Sequence, residues 1–123
     1  ARAATLLDAS GIVVWVVDAR DGSLRPVSAH GYPPEAIAKI GGIAADADNA
    51  TAAACRTGEL QVVAADSSAP GALAAPMAGA GGCVGVMAAE IRAGRENDPA
   101  VQASATIIAS QLAALVQPAP AAS

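Results

Sequence analysis

The chain contains no phenylalanine, and Trp15 and Tyr32 are its only aromatic residues. Its interior therefore has to be assembled from Ala, Val, Ile and Leu, with Trp15 as the outlier in a small-residue core. There is one histidine, His30, and there are two cysteines, Cys55 and Cys83. They form no CxxC pair or Cys/His cluster, which excludes a zinc site, and the cysteines are expected to be buried thiols packing as small hydrophobes. Positive charge is also scarce: 7 basic residues face 11 acidic ones for a net charge of -4. That balance excludes an electrostatic grip on a phosphate backbone and makes nucleic acid an unexpected direct partner. The sequence has no run of the roughly 20 apolar residues a membrane span needs, and no basic-then-apolar leader. A cytoplasmic, reducing setting is the resulting expectation, with no membrane contact in this segment.

At 123 residues the chain fits one domain, expected over residues 1–116, followed by a Pro/Ala linker at 117–123. It begins without Met on helix-forming residues, so it is expected to be an excerpt of a longer protein with its first helix cut short. The organising stretch is residues 83–89, an unbroken apolar run introduced by the glycines at 79, 81 and 82. Such a run reads as a strand buried on both faces, hairpin-paired with the apolar residues 72–77 before it. Residues 12–17, β-branched at five of six positions, form a second central strand. An Asp21-Gly22 turn leads to residues 24–31, whose Pro26 confines them to an edge.

Tyr32-Pro33-Pro34 opens a short helix, and Asn49 caps a second one that Gly58 ends. Residues 60–63 add a short strand. Asp98-Pro99 is a cap and first-turn proline for a last helix that carries no charged side chain as far as Val116. Its apolar stripe is Val101, Ala105, Ile108, Leu112 and Leu115, expected against the sheet. Ser104 and Gln111 lie off the stripe, seven residues apart, and are placed on a seam with another chain. The charged residues 92–98 are expected to be a solvated loop.

In order, the chain reads helix, two strands, two short helices, three strands and a long helix. With the helix-to-strand turn at Arg56-Thr57-Gly58-Glu59-Leu60-Gln61-Val62-Val63, then Leu73-Ala74-Ala75-Pro76-Met77 and Val84-Gly85-Val86-Met87 after a glycine turn, this order resembles a GAF domain. The resemblance covers nearly the whole chain. It implies an α+β fold, PAS-related, with an antiparallel sheet of five to six strands. It also implies terminal helices on one face forming a homodimer bundle, and short helices over a small-molecule pocket on the other. No particular ligand or cofactor follows. A chain without Phe lacks the Asn-Lys-Phe-Asp-Glu type of cyclic-nucleotide signature, Cys55 is followed by Arg56 where bilin-binding domains have His, and the two cysteines do not match the spacing of GAF-type methionine sulfoxide reductases.

No nucleophile stands with a base, and the glycine turn before residue 83 leads into a strand, where no helix N-terminus can cradle phosphate. The acidic pairs Asp46/Asp48 and Glu96/Asp98 precede helices, where capping accounts for them. The expected function is thus non-enzymatic, and the GAF resemblance implies a sensory regulatory domain of a larger bacterial-type signal-transduction protein, binding a small molecule, mediating dimerisation or both. Trp15, His30, Tyr32, Thr51, Cys55 and Met77 are expected around the ligand, Thr51 and Cys55 by lying one turn apart on the second short helix. The alternatives are a structural dimerisation module without ligand and, behind it, a small thiol redox enzyme using Cys55 or Cys83.

Overall fold

The computed structural model describes residues 2–33 and 35–116. The expected tail at 117–123, and Pro34 as part of a helix start, lie outside the described residues. Four helices, α1 (Arg2–Leu7), α2 (Glu35–Lys39), α3 (Ala50–Thr57) and α4 (Pro99–Val116), accompany five strands. These are β1 (Ala9–Val17), β2 (Leu24–His30), β3 (Gln61–Val63), β4 (Gly71–Gly79) and β5 (Gly82–Ile91), with a 3-10 turn at Arg95–Asn97. The strands form one antiparallel sheet in the order β2-β1-β5-β4-β3. The glycine-led apolar run is accordingly its central strand, hairpin-paired with β4 and flanked on the other side by β1. Gly82, at φ +119, takes the turn conformation that a side chain would resist. Pro26 sits on edge strand β2 opposite Trp15, where the ladder shifts register.

Alternation along the strands divides the core into two layers. On one face Leu73, Met77, Met87 and Ile91 pack with α1 and α4, and α4 offers Val101, Ala105, Ala109 and Ala113. This corrects the expected helix stripe. Ile108 and Leu112 only border that layer, and Leu115 is 80% exposed. The reason is steric: the sheet already supplies the large side chains, so the helix approaches through its smallest ones. By length and mean hydropathy (1.4 over 18 residues) α4 meets the minimum for a membrane span, yet its alanine face lies on the sheet.

Two further expectations are overturned. Within the charged turn, Glu96 is 1% exposed. Its Oε2 accepts from the Ala65 N–H at 3.0 Å and from Asn97 Nδ2 at 3.3 Å, and a Cβ at Gly71 would collide with its carboxylate. Only glycine at the head of β4 leaves room for this acid to tuck under the β3–β4 loop. Asp98 does act as foreseen, accepting from the Ala100 N–H at 2.9 Å. The cysteines, in turn, are not separate thiols. Cys55 and Cys83 are joined in a disulfide across a sequence separation of 28, with Cα atoms 5.5 Å apart, inside the range a bridge requires.

Replacing Glu96 with Ala strips the Ala65 N–H of its acceptor inside the fold. We expect a loss of about 1–3 kcal/mol in urea unfolding, and an unchanged midpoint would show the latch to be idle.

Candidate functional site

The second layer lies between the sheet and α3, and the sizes of its residues produce a hollow. The β1–β5 and β4–β5 registers set Val13 beside Ala88 and Ala88 beside Ala74, then Gly11 beside Glu90 and Glu90 beside Ala72. The floor is therefore alanine where other cores carry Leu or Phe. Trp15, Tyr32 and Thr51 of α3 line an open hollow of about 190 Å³ there, with Val13, Ala72, Ala88 and Glu90 also in the lining.

Each wall is fixed by a local cause. Tyr32 follows Gly31, whose φ of +84 turns the chain back over β1 where a Cβ would strike the Ser10 carbonyl. Its ring then lies on Gly11, where any side chain would occupy the same space. Thr51 is held by the capping of α3. The Asn49 side chain accepts from the Ala52 N–H at 2.8 Å, and Gly58, at φ +71, closes the helix by donating its N–H to the Ala54 carbonyl. Arg56 ties the preceding loop to the same helix through the carbonyls of Ala45 (3.0 Å) and Ala47 (2.8 Å).

The polar groups are few and placed at opposite sides. Trp15 is buried, and its indole N–H meets no acceptor among the described residues. Leaving such a donor unpaired costs on the order of 1–3 kcal/mol. The Tyr32 hydroxyl faces Glu90: burial first, then the carboxylate's charge and the hydrogen bond to it, push the phenol up to about 12. All three stabilise the neutral phenol, so the chain keeps an uncharged donor there throughout the physiological range.

Of the residues singled out in the sequence, Trp15, Tyr32 and Thr51 converge on this hollow. Cys55 lines a neighbouring one of about 260 Å³, under the same helix, with Val17, Leu24, Ala52, Arg56 and Cys83. His30 is elsewhere, exposed at the end of the sheet in a polar cleft of about 350 Å³ beside Asp8, Ser10 and Arg92. Met77 lies on the opposite face, fully buried in the layer under α4. Strand parity decides this: Ala72 and Ala74 face α3, so Leu73, Ala75 and Met77 cannot. Sequence reading missed Glu90, although a lone carboxylate within an apolar strand is a signal, and missed the alanine floor, which carries none. Among the described residues no group of three or more His, Cys, Asp or Glu is arranged to hold a metal ion.

Because Tyr32 is the only tyrosine, an absorbance titration reads it alone. It should ionise near 12 in the native chain, and Glu90→Gln should lower that midpoint only in part, since burial is the larger cause. The contribution to stability is complete below the unfolded value near 10 and is lost as the pH climbs through the folded one. An ordinary midpoint in the native protein would place the phenol in solvent.

No family model matches the sequence, and no curated protein matches it. Among solved structures the chain is similar to the GAF domain of a phosphoenolpyruvate-protein phosphotransferase from Acinetobacter, with 12% identity, a TM-score of 0.78, and coverage of 93% of this chain and 75% of that one. It is similar also to the second GAF domain of DevS from Mycobacterium smegmatis, with 25% identity, a TM-score of 0.74, and coverage of 93% and 84%. A type II free methionine-R-sulfoxide reductase from Thermoplasma acidophilum shares the architecture at 14% identity, with a TM-score of 0.69 and coverage of 88% and 79%. Regulatory domains and an enzyme thus stand on one scaffold, and activity has to be argued from the site. The motifs at residues 56–63, 73–77 and 84–87 and the three-dimensional likeness meet in one conclusion: this chain has the GAF-domain fold.

Proposed function

We propose that this is a regulatory sensory domain that binds a small uncharged molecule in the hollow between α3 and the sheet. The observation that carries the reading is the hollow itself, lined by Trp15, Tyr32 and Thr51 and floored by Ala72 and Ala88. A small ligand would lie on Ala72 and Ala88, with Tyr32, Thr51 and Glu90 as the polar residues of the lining. At about 190 Å³ the space falls below the ~300–1,000 Å³ of drug-sized sites, which limits the occupant to a smaller molecule. The DevS neighbour is the second GAF domain of its protein, in keeping with a module that is one part of a larger chain. No catalytic role is assigned to the site.

Trp15 is the only tryptophan, so its fluorescence reports on the hollow directly. In a panel of neutral metabolites, a true ligand should change Trp15 emission and raise the melting temperature together. Ala88→Leu, which fills the floor, should weaken that ligand by at least about tenfold. A ligand indifferent to Ala88→Leu binds elsewhere and would remove the reading.

A second element of the proposal is a homodimer through the terminal helices. Ile107 is 59% exposed and Leu115 80%, and with Ser104 and Gln111 they form an outward stripe on a helix without charge. Leu6 of α1 is exposed as well. If the ligand site proves empty of function, this face supports the structural-module alternative. In sedimentation runs at micromolar concentration we expect a dimer that Gln111→Glu weakens and Ile107→Glu abolishes, both by setting like charges near a two-fold axis. A monomeric parent chain would sink it.

A further inference from the structure

The disulfide has no place in the reading above, and its surroundings suggest one. Cys55, on the last turns of α3, and Cys83, at the glycine-led start of β5, are each partly exposed and line the same hollow with Arg56. A purely structural bridge is usually sealed from solvent, and this one is open to a small thiol. Its position is also unusual. Cys83 caps the tip of the β4–β5 hairpin, where Ala78 pairs with Cys83 beyond a register shift, and added side chains at Gly81 and Gly82 would meet nothing. The bond is therefore a covalent tie from α3 to an otherwise lightly held tip. The next residue, Val84, points to the other face, where it borders the layer that includes Val116 at the end of α4. Cys83, Val84 and Val116 line one further hollow of about 350 Å³. The tip thus touches α3 on one side of the sheet and the last turn of α4 on the other.

We propose that Cys55–Cys83 is a redox modification site at which dithiol exchange releases α3 from the hairpin tip, and that the tip passes the change to the C-terminal end of α4. In the exchange a thiolate of a small dithiol attacks one sulfur of the bridge, forming a mixed disulfide and expelling the other as a thiolate. The second thiol of the dithiol then displaces the bound sulfur. Two electrons move from the dithiol, which leaves as its own disulfide, to the cystine, and the two new cysteine thiolates take up protons. Arg56 lines the same hollow, with its guanidinium held by the Ala45 and Ala47 carbonyls. Reoxidation reverses each step. The inference is independent of any ligand, because its readout is the mobility of α3 and not the occupancy of the hollow.

The test uses the whole chain under native conditions. As purified in air, the protein should take no iodoacetamide label; after millimolar dithiothreitol without denaturant, both cysteines should label. Amide exchange in residues 50–57 and 112–116 should then quicken by about tenfold or more, with the middle of β5 unchanged and oxidation restoring the slow rates. The Cys55→Ser/Cys83→Ser variant should exchange like the reduced chain; if it does not fold, reduced wild-type protein supplies the same measurement. Labelling before reduction would show that no bridge forms. A bridge that yields only after urea is a buried staple, and unchanged exchange on reduction means the tie restrains nothing; either result overturns the proposal.

Discussion

β5 shares hydrogen bonds with β1 on one side and β4 on the other, so neither of its edges is free and both of its faces must be covered. In a chain without phenylalanine, how they are covered is a question of where the few large aliphatic residues go. On the α4 face the sheet holds them, as Leu73, Met77, Met87 and Ile91, and the helix answers with alanine. Large meets small, and that layer closes. On the α3 face Ala72, Ala74 and Ala88 meet a helix whose own buried residues are Ala52 and Ala54. Val13, Trp15, Leu24 and Val86 fill the rest of that layer, and where alanine meets alanine a hollow is left. The hollow follows from this asymmetry, and Trp15, Tyr32 and Thr51 stand at its margins because they are what the chain has to wall it with.

The same scarcity gives the hollow its chemical character. An aliphatic cavity of this size would be featureless, but the Tyr32–Glu90 pair brings a neutral phenol bound to a carboxylate. The backbone had to be shaped for that ring. Gly11 and Gly31 exist as glycines because the Tyr32 ring and the Ser10 carbonyl occupy the positions where their side chains would be. Gly71 makes the same concession to Glu96. These glycines therefore record close approaches, where Gly58 and Gly82 record turns.

Much of the scaffold was legible because it is written locally. The buried run after a glycine cluster, the β-branched run at 12–17, Pro26 at an edge, Asn49 and Gly58 as helix bounds, and Asp98-Pro99 as a helix start each depend on neighbours within a few residues. What was not legible depends on distance in the chain. Met77 was assigned to the wrong face because strand parity is fixed only once a partner strand sets the register. Leu115 was assigned to the core because hydrophobicity selects the largest side chains, whereas the packing surface of α4 selects the smallest. Glu96 and the cysteine pair needed contacts across 31 and 28 residues, with Ala65 and with each other. No pattern within a window could have shown them.

A layer packed small against small holds its helix weakly, and this is where the disulfide acquires physical meaning. Ala52 and Ala54 bury little apolar area, and the hollow beside them forgoes the contacts a filled core would make. The Asn49 cap and the two Arg56 hydrogen bonds fix α3 and its preceding loop locally, whereas Ala54 packing with Trp15, Leu24 and Val86 and one covalent bond join the helix to the sheet. Closing a loop of this length contributes roughly 3–4 kcal/mol in the chain-entropy view, more than a cap or an exposed hydrogen bond supplies. The element that roofs the candidate site is thus joined to the hairpin tip by a bond that chemistry can make and break. The α4 side is closed by Leu73, Met87 and Ile91 against alanine, so a change at Cys55 and Cys83 leaves the sheet intact and can reach α4 only at its last turn, where Val116 shares a hollow with Cys83 and Val84.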